Sequence, residues 1–243
     1  MHTFVDVLHW LTDSAHWTGP TGIPLRIGEH LELSVVSVGL AAAVAIPLGL
    51  VVGHIRKFEF LAVSIVNVGR SVPSFAILVL AYLAFLQLTP SLAFGFGPTV
   101  VALFLLALPP ILTNTYVGVQ QVDADTVEAA RGMGMTERDV LLRLELPLAA
   151  PLIMAGLRTA AVTAVATATL AALIGGGGLG RFIIDGFHTN DIPMIVSGAV
   201  LVAILSIVTE ASFALVERAV RPQMSSKAPR RGRLSLGRVR PAA

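Results

Sequence analysis

Two long stretches without a charged side chain constrain this sequence more than any other feature. No Asp, Glu, Lys or Arg occurs between Glu32 and His54, and none occurs between Arg70 and Asp123. Charged residues make up only 13% of the chain and hydrophobic residues 55%, whereas a soluble domain carries roughly 25% charged residues. So few charged residues cannot cover a water-facing surface, so the composition excludes an ordinary soluble enzyme. The high hydrophobic content also excludes a disordered chain. The composition therefore predicts a membrane protein.

The uncharged stretches predict an all-α membrane protein with about five transmembrane helices. A span needs about 20 apolar residues, and the runs are too long and too uniformly apolar for alternating barrel strands. Turn signals at 89–91 and 94–98 divide the second stretch. The predicted spans are residues 33–53, 71–88, 99–120, 148–174 and 192–215. Residues 58–68 are apolar enough either to lengthen the second helix or to lie along the interface.

The distribution of basic residues predicts the orientation of the spans. With five spans, thirteen of the seventeen Lys and Arg residues fall on one side of the membrane and only Arg26 and Arg181 on the other, while Arg70 and Arg158 lie near span ends. Because basic loops stay in the cytoplasm, we expect the N-terminus outside and the C-terminus inside. Residues 1–29 then form an extracytoplasmic segment, either a helix on the membrane surface or a flexible leader. Residues 218–243 form a basic, disordered cytoplasmic tail that suits anionic lipid rather than nucleic acid.

The segment 123–147 is the longest polar connection between spans, and its sequence predicts a helix, a turn and a second helix. Asp125 or Thr126 can cap the first helix, and Thr136 can cap the second. Gly132 and Gly134 interrupt the chain between them. Pro147 ends the segment and begins the fourth span.

The second helix of this segment is amphipathic. Val140, Leu141 and Leu144 fall on one stripe, which must be buried on the membrane surface, on the chain's own spans or in the groove of a partner protein.

The segment resembles the EAA loop of binding-protein-dependent ABC importer permeases. The family pattern is EAA, three residues, G, nine residues, I, one residue, LP, and this sequence matches it with Leu in place of Ile. The matching residues are Glu128, Ala129, Ala130, Gly134, Leu144, Leu146 and Pro147. The resemblance implies that these residues couple the chain to a separate ATPase.

Several other short segments between residues 30 and 217 resemble segments of permeases for glycine betaine, carnitine and choline. They include Ser71-Val72-Pro73-Ser74, Leu112-Thr113-Asn114-Thr115-Tyr116 and the glycine run 174–180. The resemblance implies the type I ABC importer permease fold over residues 30–217 and a location in the bacterial cytoplasmic membrane. An amino acid or another small solute is the alternative cargo.

The same resemblance implies the partners: two cytoplasmic ATP-binding subunits, an extracytoplasmic solute-binding protein, a second permease subunit that is an identical copy or a paralogue, and membrane lipid. We expect no cofactor on this chain, because ATP and Mg are used by the partner ATPase.

The sequence has no G-x-x-x-x-G-K-[ST] motif, and the glycine run lacks the strand and helix context of a dinucleotide site. We therefore expect no enzymatic activity.

Polar residues and prolines within the spans are candidates for the solute path, because such residues are costly in lipid. The candidates are Pro73, Asn114, Tyr116, Thr163 and Thr167. The chain has only two tyrosines, so the sequence does not indicate an aromatic cage for a quaternary ammonium. The histidines are scattered without metal-ligand spacing, so no metal site is expected. An ion-coupled carrier is a distant alternative, because the spans hold no carboxylate before Glu210.

Overall fold

The computed structural model of the chain describes residues 2–56, 64 and 71–220. All regular structure in these ranges is helical. The interpretations of Lys57, residues 58–68, Arg70 and the tail from residue 221 lie outside the described residues.

Nine α-helices follow one another along the described chain. They are α1 (His2–Thr12), α2 (Ile23–Ile55), α3 (Ser74–Leu88), α4 (Phe96–Gln120), α5 (Ala124–Gly132), α6 (Glu137–Asp139), α7 (Leu146–Thr167), α8 (Gly180–Thr189) and α9 (Ile192–Val220). A π-helical segment, Val140–Glu145, joins α6 to α7, and a 3₁₀ segment, Ala168–Ile174, continues α7.

Four of the five predicted spans correspond to helical stretches of the described chain that are long and apolar enough to cross a membrane. These stretches are Ile23–Ile55, Phe96–Gln120, Glu137–Ile174 and Ile192–Glu217. The fifth corresponds to α3, which has 15 residues and measures about 22 Å at 1.5 Å per residue. This is shorter than the roughly 30 Å of a hydrocarbon core. Apart from residue 64, the stretch 58–68, which could lengthen it, is not among the described residues.

Helix α4 forms the centre of the bundle and packs against both α2 and α7. Glycines allow this close approach. A Cβ atom built on Gly49 of α2 would lie 2.6 Å from Thr115 Cβ of α4, and one on Gly156 of α7 would lie 2.7 Å from Asn114 Cβ. Because lipid tails are as apolar as the side chains, helices in a membrane associate through this kind of tight packing of small residues. The core between these helices is correspondingly rich in alanine, as at Ala45, Ala107 and Ala160.

Helix α9 is joined to α7 by two ion pairs. Arg158 of α7 lies 3.1 Å from a carboxylate oxygen of Glu217 and 3.5 Å from one of Glu210, both on α9. Pairing offsets part of the cost of removing these charges from water. The arginine near the end of the fourth span therefore contributes to helix association.

The glycine run after α7 is folded tightly against the start of α2. The N–H of Gly178, which has φ +88°, donates to the Glu29 carboxylate at 2.7 Å. The N–H of Leu179 donates to Nδ1 of the fully buried His30 at 3.2 Å. Nε2 of the same ring therefore carries the proton and donates to the Val165 carbonyl at 2.7 Å. The run closes one end of the bundle.

The N-terminal segment packs on the same end of the bundle. Trp10 of α1 is buried in a cluster with Ile23, Leu179, Phe182 and Val202. The segment thus consists of a helix anchored by one aromatic side chain, and α2 already begins at Ile23, ten residues before the predicted start of the first span.

Replacing Gly49 with alanine should destabilise the protein by about 1–3 kcal/mol, the usual cost of overpacking. Its added methyl group would meet Thr115. Gly39→Ala, in the same helix, is the matched control, because nothing lies within 4 Å of its Cβ position and alanine favours the helix. Thermal unfolding of the detergent-solubilised protein would measure both variants. Equal melting temperatures for the two would contradict the packing described for α2 and α4.

Candidate functional site at the 123–147 loop

The loop is a compact folded unit at the end of the bundle where α2 finishes and α7 begins. Asp123 caps α5: its Oδ1 accepts hydrogen bonds from the Thr126 backbone N–H at 2.8 Å and the Thr126 hydroxyl at 2.9 Å. These bonds, led by the one from the backbone, hold the pKa of Asp123 below its usual value. The prediction that Asp125 or Thr126 caps this helix is wrong by two or three residues, because the cap is the acid just before the first helical residue.

The turn and the second cap follow the sequence-based prediction. Helix α5 ends at Gly132, and Gly134 adopts φ +89°, a left-handed conformation that suits glycine. Thr136 Oγ1 then accepts a hydrogen bond from the Asp139 N–H at 3.2 Å and caps α6.

The amphipathic stripe of the second helix is covered by the chain itself. Val140 is fully buried in a cluster with Val122, Val127 and Ala130, and Leu144 packs on its edge. Leu141 packs against the neighbouring cluster, which contains Leu50 and Ile153. Of the three ways of burying the stripe, the chain uses packing on its own helices.

The loop presents its other side outward. Glu128, Ala129, Gly134 and Pro147 are exposed, while Ala130 is buried and Leu144 and Leu146 are half-buried. The seven residues of the pattern therefore divide into an outward-facing set and an interior set. Met133, beside Gly134, is 80% exposed, and Leu142 is also exposed. The flexible side chain of an exposed methionine can adapt to the surface of a partner protein.

An ionic network that the sequence analysis did not find connects this loop to α2. Glu137 receives two hydrogen bonds of 2.9 Å from the Arg131 guanidinium, and these raise the pKa of Arg131 above its usual range. His54, in the last turn of α2, lies 2.6 Å from Glu145 and 3.1 Å from Glu137. One local signal pointed to this network, because Glu145 is a charged residue flanked on both sides by leucine. Its partner lies 91 residues away in sequence, beyond the reach of a local pattern.

The network borders an open cavity of about 820 Å³ between the end of α2 and α5. The charged and titratable residues around it are His54, Arg56, Glu128, Arg131 and Glu145. Its charged lining contrasts with the apolar cavity between α2, α3 and α4.

The structure places the residues predicted for a solute path at the start of α3, on α4 and on α7. Tyr116 is buried within the subunit. Asn114 packs on Gly156, and its amide donates to the Pro110 carbonyl at 2.8 Å. Pro73 precedes the first residue of α3. Thr163 is exposed on α7, and the half-buried Thr167 donates its hydroxyl proton to the Thr163 carbonyl.

Comparison with proteins of known sequence finds close relatives over most of the chain. The choline transport system permease protein OpuBB of Bacillus subtilis is 42% identical over 194 residues, which cover 80% of this chain and 86% of the relative. The glycine betaine/carnitine/choline transport system permease protein OpuCB of the same organism is 40% identical over 198 residues, 82% of this chain and 88% of the relative.

The fold is shared with a solved ABC transporter. An inward-facing structure of the MetNI methionine ABC transporter matches with a TM-score of 0.71 at 23% identity, covering 80% of this chain and 94% of that chain. In addition, residues 45–222 match the family described as the binding-protein-dependent transport system inner membrane component. The folded loop, the helical bundle and these matches together identify the chain as a member of this family of ABC importer permeases.

Proposed function

We propose that this chain forms part of the translocation path of an ATP-driven importer for a small osmoprotectant such as choline, glycine betaine or carnitine. The observation that carries the choice of solute is the 40–42% identity to permeases whose names specify these compounds. In this proposal a second permease subunit completes the path. An extracytoplasmic binding protein delivers the solute, and two cytoplasmic ATPases use ATP and Mg to drive the cycle in the bacterial cytoplasmic membrane.

The 123–147 loop is the proposed contact with the ATPase. Its stripe is already buried against its own helices, so the loop can keep its shape while a partner moves. Glu128, Ala129, Met133 and Gly134 stand on the outward side, where a groove on the ATPase would receive them. The interior residues Ala130, Leu144 and Leu146 would act by holding this surface in position.

The exposed face of α7 around Thr163 is the proposed solute path within this subunit, with Thr167 beside it. Pairing of this face with the second permease would enclose a passage lined by small hydroxyl-bearing residues. Asn114 packs on Gly156 of α7 and Tyr116 is buried, so we assign them to shaping the path rather than to contacting solute.

Uptake measurements test the choice of solute. Proteoliposomes that contain the permeases, the ATPases and the binding protein should accumulate radiolabelled choline, glycine betaine or carnitine only when ATP is supplied. Accumulation of methionine instead would favour the amino-acid alternative. Accumulation driven by an ion gradient without ATP would refute the importer.

A single cysteine at position 133 tests the loop contact and its side of the membrane. The chain contains no cysteine, so Met133→Cys provides a unique label. We expect it to crosslink to the ATPase and to be shielded from an impermeant thiol reagent in intact cells. Phe187→Cys, exposed on α8, is the control and should give the opposite labelling. Surface labelling of position 133 in intact cells would overturn the assignment.

Gly134→Ala should lower uptake strongly while the protein still reaches the membrane. No other group lies near the Cβ position, so the cost comes from the left-handed backbone, about 1–2 kcal/mol for a residue with a side chain. Gly132→Ala is the matched control, since its backbone is helical and its Cβ position is equally open. Uptake and membrane abundance are measured together. Full uptake activity in the Gly134→Ala variant would show that this turn is not part of the coupling site.

A further inference from the structure

His54 lies between two carboxylates from the two ends of the second helical part of the loop. Its Nδ1 is 2.6 Å from Glu145 Oε2, and its Nε2 is 3.1 Å from Glu137 Oε2. The Glu145 side chain is only 3% exposed, whereas that of Glu137 is 60% exposed. The imidazole thus bridges an interior carboxylate and a surface carboxylate.

Each ring nitrogen of His54 lies within hydrogen-bond distance of a carboxylate oxygen. A neutral imidazole carries one N–H and one lone pair, so only a ring with both nitrogens protonated can donate to both acids. In that form the ring places a positive charge beside the buried Glu145. An unpaired buried carboxylate would be costly.

The bridge is part of a chain of charges that crosses four helical segments. His54 belongs to α2, Glu145 to the π-helical segment, Glu137 to α6 and Arg131 to α5. Arg56 and Glu128 are the other charged groups around the same cavity. With a protonated His54, three cations face three anions, so the cluster is balanced.

Few other polar contacts join the end of α2 to the loop. The Arg56 guanidinium reaches the Val122 carbonyl at 3.5 Å, the outer limit of a hydrogen bond. The chain that continues from α2 leads to α3 and reaches the loop only after α4. A force applied to the loop therefore reaches α2 through side-chain contacts, and the His54 bridge is the shortest polar one among the described residues.

We propose that His54 is a positioning residue for energy coupling, which ties the end of α2 to the loop through Glu145 and Glu137. The proposal rests on the proposed function of the loop as the ATPase contact. Movement of the loop then carries α2 with it, and loss of the bridge separates ATP hydrolysis from transport.

The test measures solute transported per ATP hydrolysed in proteoliposomes containing the complete complex. His54→Gln should lower this ratio severalfold, because the neutral side chain no longer pairs with Glu145 and Glu137. Glu145→Gln together with His54→Gln should leave the ratio low, because the ionic bridge is then absent even though neither charge is left unpaired. His188→Gln is the matched control, since His188 is exposed on α8, remote in sequence from the network. Glu137→Gln, at an exposed position, should give an intermediate loss even if the buried variants fail to fold.

Separate measurement of the two activities supplies a readout that a merely structural role would not move. In His54→Gln, the complex should still hydrolyse ATP while solute transport falls, whereas a folding defect would lower both activities together. An unchanged ratio of transport to hydrolysis in His54→Gln would overturn the proposal.

Crosslinking from position 133 separates the two hypotheses. If Met133→Cys crosslinks to the ATPase equally in the presence and absence of His54 but the transport ratio is unchanged, the loop contact stands and the role of His54 is refuted. If position 133 does not crosslink in the otherwise unsubstituted chain, the proposed function itself fails.

Discussion

Close contact between helix backbones is the interaction on which the rest of this structure depends. At Gly49 and Gly156 the helices approach so closely that even a methyl group would overlap a neighbouring side chain. In an apolar medium little hydrophobic force drives helices together, so fit between small residues replaces it. Helix α4 is held from both sides in this way, and the positions of α2 and α7 relative to it determine where the loop stands.

Most of the transmembrane architecture could be predicted from the sequence because the bilayer imposes a simple rule on it. Long uncharged segments must form helices there, and the predicted spans at 99–120 and 192–215 lie within α4 and α9. The starting point of α2 could not be predicted in the same way. Residues 23–32 include Arg26, Glu29 and Glu32, which look unsuitable for a span, but the helix continues through them as Glu29 pairs with Arg26 and with the glycine run.

For the 123–147 loop, local chemistry was predictable and long-range pairing was not. The Thr136 cap and the Gly134 turn follow from residue types three or fewer positions apart. The burial of Val140 depends on a surface made by Val122 and Val127, and the pairing of His54 with Glu145 joins distant parts of the chain. The sequence therefore predicted the shape of the loop but left open what covers its apolar stripe and what joins it to α2.

The unbroken helical stretch from Glu137 to Ile174 has a consequence for geometry. It contains 38 residues and is about 57 Å long at the rise of an α-helix, nearly twice the roughly 30 Å of the hydrocarbon layer. Even at a tilt of about 40°, the upper end of the range for membrane helices, such a rod spans more than the hydrocarbon layer. Its excess length extends beyond the hydrocarbon layer, and the charged first residues, Glu137–Asp139, are suited to the part that meets water.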